Sequence, residues 1–243
     1  MFEAGVFLID KPIGPTSFKM VQRVRRALQI KKVGHSGTLD PFASGLLIIC
    51  AGRAATKIIP QLMGADKKYE ATLKLGFESD TFDPEGAIVA SGSAAGIDRH
   101  VMQRCLDTFR GEQEQIPPQF SALKHKGKPL YYYARKGIKI EKEPRKIVIR
   151  DIECGSCSEG EATIQICCSK GTYIRTLASD IGKELGCGAY LTGLRRIANG
   201  PFDVDDALYG NYLNGERLIV QEMLMGYALT VEQVLNNINT QHE

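Results

Sequence analysis

The chain has 243 residues, 43% of them hydrophobic, and a formal net charge of +3 at pH 7. This length and composition suffice for a full core, as one large domain or a domain with an appendage. No apolar run approaches the ~18 residues of a membrane span, and we predict no secretion signal. Seven cysteines, an odd number that includes the adjacent pair Cys167 and Cys168, favour reduced thiols in a cytoplasm over a disulfide framework.

The first seventy residues alternate between strand and helix patterns. We predict a strand at Val6–Asp10, a helix capped by Thr16 or Ser17, a loop at 34–41, a buried strand at Leu46–Ala51 and a helix at Ala54–Leu62. The first helix places Phe18, Val21, Val24 and Leu28 at helical spacing, and its opposite face carries Lys19, Arg23, Arg25 and Arg26.

Alternating residues from Tyr69 to Phe77 predict a half-buried strand of an antiparallel sheet. We then predict a turn at DTFDPEG, a flexible loop at 91–96, a helix capped by Asp98, strands at Ile147–Ile152 and Ala162–Cys168 joined by the loop CGSCSEGE, and a helix marked by Tyr173, Leu177, Ile181 and Leu185. Because these elements lack regular strand–helix–strand repetition, we expect an α+β fold with a mixed, largely antiparallel central sheet flanked by helices.

Positive charge is concentrated in residues 124–150, which hold ten Lys or Arg against two Glu, a local balance of +8. The rest of the chain therefore carries 21 basic and 26 acidic residues, a balance of −5. Three consecutive tyrosines lie within the segment. Basic side chains interleaved with aromatic ones suit a phosphate backbone with exposed bases, although a solvated helix face with inward tyrosines fits the charge alone equally well.

Several common catalytic motifs are absent from the sequence. It has no phosphate-binding G-x-x-x-x-G-K-[ST], no G-x-G-x-x-G after a strand, and no G-x-S-x-G elbow at residues 34–38. Cys154 and Cys157 have the spacing of a redox pair, but the acidic, helix-breaking residues after them favour a plain turn. A zinc site is not expected either, because Cys167 and Cys168 point to opposite faces of their predicted strand.

The loop GHSGTLDPFASGLL, residues 34–47, places Asp40 among glycines and hydroxyl groups. A lone carboxylate can act as a covalent nucleophile if another group orients it and keeps it ionised, and Arg175 in KGTYIRTL offers such a group. From spacing alone, a turn or helix-capping role for Asp40 is the stronger interpretation.

The same loop, extended as GHSGTLDPFASGLLIICAGRAATK, closely resembles the signature of the bacterial TruB-type tRNA pseudouridine synthases. Four further segments resemble that family, in the family's order: LIDKPIGPTSF, KKYEATLKLG, IPPQFSALKHKGKPLYYYARKGI and SKGTYIRTLASDIGKELGCGAYLTGLRRIANGPF. Together they cover nearly all of residues 5–205. The resemblance implies a pseudouridine synthase fold that isomerises uridine 55 in the T-loop of tRNA, without cofactor or metal.

The resemblance also assigns roles to individual residues. Asp40 corresponds to the catalytic aspartate, Tyr69 to a tyrosine that stacks on the flipped base, and Arg175 to an arginine that pairs with the aspartate. The remaining positions correspond to a histidine that fills the space of the extruded base (His35), to residues lining the uracil pocket (Tyr173 and Leu194) and to the tRNA-gripping insertion (Lys124, Lys126, Lys128, Arg135 and Lys136). The Lys11-Pro12 corner either braces the active-site loop or contacts the substrate.

For domain organisation, we expect a catalytic domain over residues 1–205, with a basic insertion at about 117–147 that we name the thumb. Residues 206–243 are expected to form a short tail and not a full PUA-like RNA-binding module. We further expect a cytoplasmic monomer that binds the T-stem-loop of tRNA, with no membrane and no obligate protein partner. Two alternatives remain at this point: a tRNA-binding or tRNA-folding protein without catalysis, and the same chemistry on another RNA.

Overall fold

A computed structural model describes residues 2–240, and its contacts divide the chain into two compact units. Among the described residues, the first unit comprises residues 2–69 and 195–240, and the second comprises residues 70–194. Two strands have residues in both units: β4 (Lys67–Leu75) and β12 (Ala189–Asn199).

The first unit combines short strands with helices. Its other elements are β1 (Gly5–Lys11), α1 (Ser17–Leu28), β2 (Val33–His35), β3 (Ser44–Ala51), α2 (Arg53–Lys57), α3 (Ile59–Gly64), β13 (Phe202–Asp203), β14 (Leu208–Tyr209), α7 (Arg217–Gly226) and α8 (Val231–Asn239). Two 3-10 turns, Val204–Asp206 and Gly210–Asn214, flank β14.

The second unit contains the longest strand, β10 (Arg145–Ser158). Its other elements are β5 (Phe77–Ser79), β6 (Ile88–Ala90), α4 (Arg99–Asp107), β7 (Gly111–Gln115), β8 (Lys124–His125), β9 (Lys128–Pro129), α5 (Leu130–Ala134), β11 (Glu161–Cys168) and α6 (Ile174–Glu184).

The sheet of the first unit has the strand order β14-β1-β3-β12, with β2 also on β3 and β13 on β12. The pairs β1–β3, β2–β3 and β12–β13 are antiparallel, whereas β1–β14 and β3–β12 are parallel. Apolar side chains of β1, β3 and α3 form a core, which Val234 of α8 completes. The last helix is therefore an integral part of this unit's packing.

The sheet of the second unit has the order β12-β4-β11-β10-β7, and β10 pairs antiparallel with both β11 and β7. Helices α4 and α6 contact each other, and α4 also contacts β10. These strand orders and pairings confirm the expected α+β fold with a mixed, mainly antiparallel sheet and flanking helices.

Several sequence-based predictions of local structure are confirmed. Helix α1 begins after Thr16, whose hydroxyl accepts a hydrogen bond from the Lys19 amide at 3.1 Å. Helix α4 begins after Asp98, whose carboxylate accepts from the Val101 amide at 2.8 Å. Both caps satisfy amide groups that the first helical turn leaves without a partner.

Other boundaries were wrong for identifiable physical reasons. The helix predicted at Ala54–Leu62 is two short helices that are separated at Ile58. The break falls there because Pro60 occupies the first turn of the second helix, a position that proline favours. The strand predicted to continue to Phe77 ends at Leu75, because Gly76 adopts a φ of +86°. Phe77 is accordingly exposed and pairs in a separate two-stranded sheet. Phe18, grouped with the inward residues of α1, is 57% exposed.

The predicted loop CGSCSEGE is mostly strand. Strand β10 extends through Ser158, and only Glu159 and Gly160 form the connecting turn, both with positive φ. A register shift between Cys154 and Ser156 marks a bulge, which explains why the alternation of apolar residues is lost there. The interpretation of Cys154–Cys157 as a turn was therefore wrong.

Across residues 2–240, no helix is both long and apolar enough to cross a membrane. The same residues contain no group of three or more His, Cys, Asp or Glu side chains that could hold a metal ion.

Candidate active site

The loop that carries Asp40 is held on both sides of this residue by hydrogen bonds from α1 and the residues before it. The Ser17 hydroxyl donates to the Leu39 carbonyl at 2.9 Å and accepts from the Leu39 amide at 2.8 Å. The Gly14 amide donates to the Pro41 carbonyl at 2.8 Å. Asp40 itself is half-buried. Its backbone is therefore fixed by direct bonds on each side, as preorganised catalysis requires.

Lys11 also stabilises this loop by hydrogen bonds. Its ammonium group, 0% exposed, donates to the carbonyls of Pro12 and Pro15 at 2.9 Å each and to that of Pro41 at 3.5 Å. Burial lowers the pKa of Lys11 to about 8, against the opposing attraction of Asp40. Of the two roles that the sequence left open, the contacts match bracing of the loop.

The lowered pKa of Lys11 predicts how the free energy of unfolding depends on pH. Since its folded pKa of about 8 lies below the ordinary 10.5, the unfolded chain binds more protons between these pH values. The free energy of unfolding of the wild type should therefore rise with pH relative to Lys11→Met, by up to about 1.4 kcal/mol per pH unit. Denaturant titrations at about pH 7 and about pH 9.5 measure this difference. A difference that stays constant with pH would contradict the assigned pKa.

Arg196 connects the same loop to the sheet. This side chain is 2% exposed, and it donates to the Leu46 carbonyl at 2.7 Å and to the Gly37 carbonyl at 3.2 Å. The backbone of Arg196 lies against Gly45, where a β-carbon would fall 2.3 Å from the Arg196 carbonyl oxygen, so only glycine fits. The sequence did not single out Arg196, although it falls in the family-like segment LRRIANG.

His35 lies at the end of β2, at the start of the same loop. Its Nδ1 accepts a hydrogen bond from the Gly37 amide at 3.3 Å, which gives Nδ1 the acceptor role of a neutral ring. Burial, followed by the charge of Arg196, lowers the pKa of His35 below its usual 6.5. An uncharged imidazole at this place suits contact with a nucleobase better than contact with a phosphate.

Tyr69, the predicted stacking residue, lies in the N-terminal part of β4 in the first unit and is half-buried. Lys67, two residues before Tyr69, is buried, and it donates to the Met63 carbonyl at 2.7 Å and to the Ala65 carbonyl at 2.5 Å. These bonds connect the start of the strand to the end of α3.

In the second unit, Arg175 forms a buried ion pair with Asp83 at 2.9 Å, and the arginine is 4% exposed. The guanidinium also donates to the carbonyls of Thr81 at 3.1 Å and Phe120 at 2.7 Å. Asp83 in turn accepts from the Thr81 hydroxyl at 2.6 Å and the Glu85 amide at 3.0 Å. Asp83 was missed at the sequence level, because it lies in a segment interpreted only as a turn. The pairing of Arg175 with Asp40 stays a prediction.

Tyr173, predicted to line the uracil pocket, is positioned by a side chain that the sequence did not single out. The amide group of Gln115, a buried residue at the end of β7, accepts from the Tyr173 amide at 2.8 Å and donates to the Tyr173 carbonyl at 3.1 Å. Leu194, the other predicted pocket residue, is half-buried in β12. Within the second unit, Tyr173 and Arg175 are thus brought together at the start of α6.

The thumb exposes the basic residues that the sequence predicted to bind RNA. A short hairpin joins β8 to β9 through Lys126 and Gly127, whose φ angles of +47° and +80° suit a two-residue hairpin turn. The five predicted RNA-binding residues are all exposed: Lys124, Lys126, Lys128, Arg135 and Lys136.

The three consecutive tyrosines of the thumb take different positions. Tyr132 lies between two lysines, with the ammonium groups of Lys128 and Lys136 4.3 Å and 4.5 Å from its ring centre. Both lysines donate to the Tyr132 hydroxyl. These bonds, of which the one from Lys136 has the larger effect, lower the pKa of Tyr132 to about 8. Tyr133 donates to the His125 carbonyl within the thumb, and Tyr131 is exposed beneath Arg135. The result is a cationic surface interleaved with aromatic rings.

Comparison with solved structures finds chains of the same fold. The chain is similar to a chain in the crystal structure of a Cbf5-Nop10-Gar1 complex, with a TM-score of 0.71, 25% identity, and coverage of 96% of this chain and 62% of that one. It is also similar to a chain in the archaeal box H/ACA sRNP Nop10-Cbf5 complex, with a TM-score of 0.63, 25% identity, and coverage of 96% and 57%. The chain therefore spans less than two thirds of either solved chain.

Sequence comparison gives the family. Residues 25–174 match the TruB family pseudouridylate synthase N-terminal domain, and residues 175–236 match the tRNA pseudouridylate synthase B C-terminal domain. A tRNA pseudouridine synthase B of Desulfotalea psychrophila is 53% identical over 240 residues, 96% of either chain. That of Bordetella pertussis is 52% identical over 206 residues, 84% of either chain. This chain belongs to the TruB family of pseudouridylate synthases.

Proposed function

We propose that this protein is a tRNA pseudouridine synthase that isomerises uridine 55 in the T-loop of tRNA. In this reaction the N1–C1′ bond of the nucleotide breaks and a C5–C1′ bond forms, while the C5 proton leaves and N1 gains a proton. The observation that carries the proposal is the Asp40 loop, which Lys11, Ser17 and Arg196 hold in place in a chain of this family.

The proposed mechanism begins with extrusion of the base from the folded tRNA, at a cost of a few kcal/mol of stacking. Tyr69 offsets part of this loss by stacking on the base, and His35 fills the space that the base vacates. Asp40 then acts as the nucleophile that holds the intermediate while the uracil turns over. Tyr173 and Leu194 line the uracil pocket, and Arg175 orients Asp40 and favours its ionised form.

We place the enzyme in the cytoplasm as a monomer with tRNA as its partner, and with no obligate protein partner. The solved relatives are chains of complexes with named proteins. The curated relatives carry the name tRNA pseudouridine synthase B.

The reaction itself provides the test. A tRNA transcript labelled with tritium at C5 of its uridines should release about one equivalent of tritium per tRNA, because a single C5 proton leaves in each isomerisation. A matched transcript with cytidine at position 55 should release none. Equal release from the two transcripts would contradict the proposed target, and no release from either would contradict the proposed activity.

The thumb gives a separate prediction about binding. Replacing Lys124, Lys126 and Lys128 by Glu should weaken tRNA binding and flatten the slope of log affinity against log salt, by about 0.7–0.9 for each phosphate that the protein no longer neutralises. Filter binding across a range of salt concentrations measures the slope. The control is Arg104→Glu, an exposed residue of α4. A thumb variant whose slope equals the wild-type slope would count against phosphate binding there.

A further inference from the structure

Helix α1 presents a basic face that the proposed mechanism does not use. Lys19, Arg23 and Arg26 are three and four residues apart, a spacing that places them on one side of a helix. Lys19 and Arg26 are exposed and Arg23 is half-buried, whereas Val21 and Val24 are buried on the other side. The helix contains no acidic residue. The basic side chains are therefore turned towards solvent by the packing of the apolar ones.

No acidic side chain neutralises this face. Within residues 2–240, Lys19, Arg23 and Arg26 form no ion pair, and the sulfur of Met20 is the acceptor for Arg23 at 3.2 Å. Burial, and next the charge of Arg26, lowers the pKa of Arg23, so two like charges lie close together. Such crowding is unfavourable in the free protein and is relieved when an anion binds.

The charge of the surrounding sequence extends this surface. Residues 12–39 contain six basic residues and no acidic one. Two of the six, Lys31 and Lys32, follow the helix and are exposed. A stretch of sequence with several basic residues and no carboxylate is typical of a site for a polyanion.

The N-terminal end of α1 lies beside the Asp40 loop. Ser17, the first residue of α1, holds Leu39 through both hydrogen bonds of its hydroxyl group, and Gly14 holds Pro41. All of these residues belong to the same compact unit. An RNA strand that presents a nucleotide to Asp40 therefore brings its neighbouring phosphates to the beginning of α1.

We propose that Lys19, Arg23 and Arg26 of α1 form a second RNA-binding surface, which contacts the phosphate backbone of the substrate tRNA beside the target nucleotide. This surface belongs to a different segment of the chain from the thumb. The proposal rests on tRNA as the substrate. An acidic protein partner is the alternative occupant, but the direct connection of α1 to the Asp40 loop favours the substrate.

The test is a double charge reversal, Lys19→Glu with Arg26→Glu. Each neutralised phosphate contributes about 0.7–0.9 to the salt slope of RNA binding, so removing two such interactions should weaken tRNA affinity at least about tenfold at ~0.1 M salt and flatten the slope. The single-turnover rate at saturating tRNA should stay within about twofold of wild type, since neither residue touches the reacting atoms. The matched control, Arg104→Glu with Lys183→Glu, makes the same charge change on α4 and α6 of the other unit.

Thermal melting separates a binding effect from a folding effect. If the glutamate variant melts earlier than wild type, Lys19→Gln with Arg26→Gln should still weaken binding and flatten the slope, without new negative charge. Affinity and slope equal to those of the control would overturn the proposal and leave an acidic protein as the occupant. Tritium release by the wild-type enzyme is measured in parallel. It tests the proposed activity separately, so that a failure of this binding proposal can be told apart from a failure of the proposed function.

Discussion

Replacing Asp40 by asparagine should lower the rate of pseudouridine formation at saturating tRNA by at least about a thousandfold, because the amide cannot act as the nucleophile. The substitution preserves size and most hydrogen bonding in a loop that Ser17 and Gly14 hold from both sides. The affinity for tRNA should change little or rise, since one anion facing a polyanion is removed. Single-turnover kinetics and tRNA binding are measured on one preparation.

The opposing interpretation of Asp40, as a turn or capping residue, makes a different prediction for the same variant. It predicts a stability loss of roughly 1 kcal/mol with near-normal activity once the protein is folded. Asp206→Asn is the matched control, because Asp206 is an exposed carboxylate of the same unit. A folded Asp40→Asn protein that works within tenfold of this control would contradict the nucleophile assignment.

Replacing Arg175 by alanine should have the second large effect, on stability and on catalysis together. The change leaves Asp83 buried without its cationic partner, a loss that typically costs about 3–5 kcal/mol in the free energy of unfolding. Turnover should fall at least about a hundredfold, because small misplacements of catalytic groups have effects of that size. Denaturant unfolding and single-turnover kinetics measure the two quantities.

A double variant separates the two effects of Arg175. Arg175→Met with Asp83→Leu removes both charges and fills the space with apolar atoms, which is often neutral or stabilising for a buried pair. The free energy of unfolding should recover part of the loss seen in Arg175→Ala, because the backbone groups that bonded to the two side chains still lack partners. Turnover should remain low. Turnover that recovers together with stability would show that Arg175 acts through folding alone.

Local sequence patterns predicted the helix starts because the interactions that form them are local. The cap at Thr16 and the cap at Asp98 each depend on one side chain and an amide three residues away, which a single sequence displays directly. One error arose where pairing with a neighbouring strand decides the conformation. The stretch Cys154–Ser158 looks like a turn in isolation, but pairing with residues 161–164 keeps it extended around a bulge.

The candidate site divides in the same way. The loop around Asp40 and the start of α6 could be located through the family resemblance of continuous motifs. The groups that hold them could not, because each lies far away in the chain: Asp83 is 92 residues from Arg175, and Gln115 is 58 residues from Tyr173. No periodicity marks such pairs, and a turn aspartate shows in the sequence neither its burial nor its partner.

The decisive measurement is nucleotide-resolution mapping of pseudouridine in an unmodified tRNA transcript, after parallel incubation with the wild-type protein and with Asp40→Asn. We expect new pseudouridine at position 55 with the wild type, and none there with the variant in the same time. Pseudouridine at other positions only, or equal modification of position 55 by both proteins, would contradict the proposed function and its nucleophile.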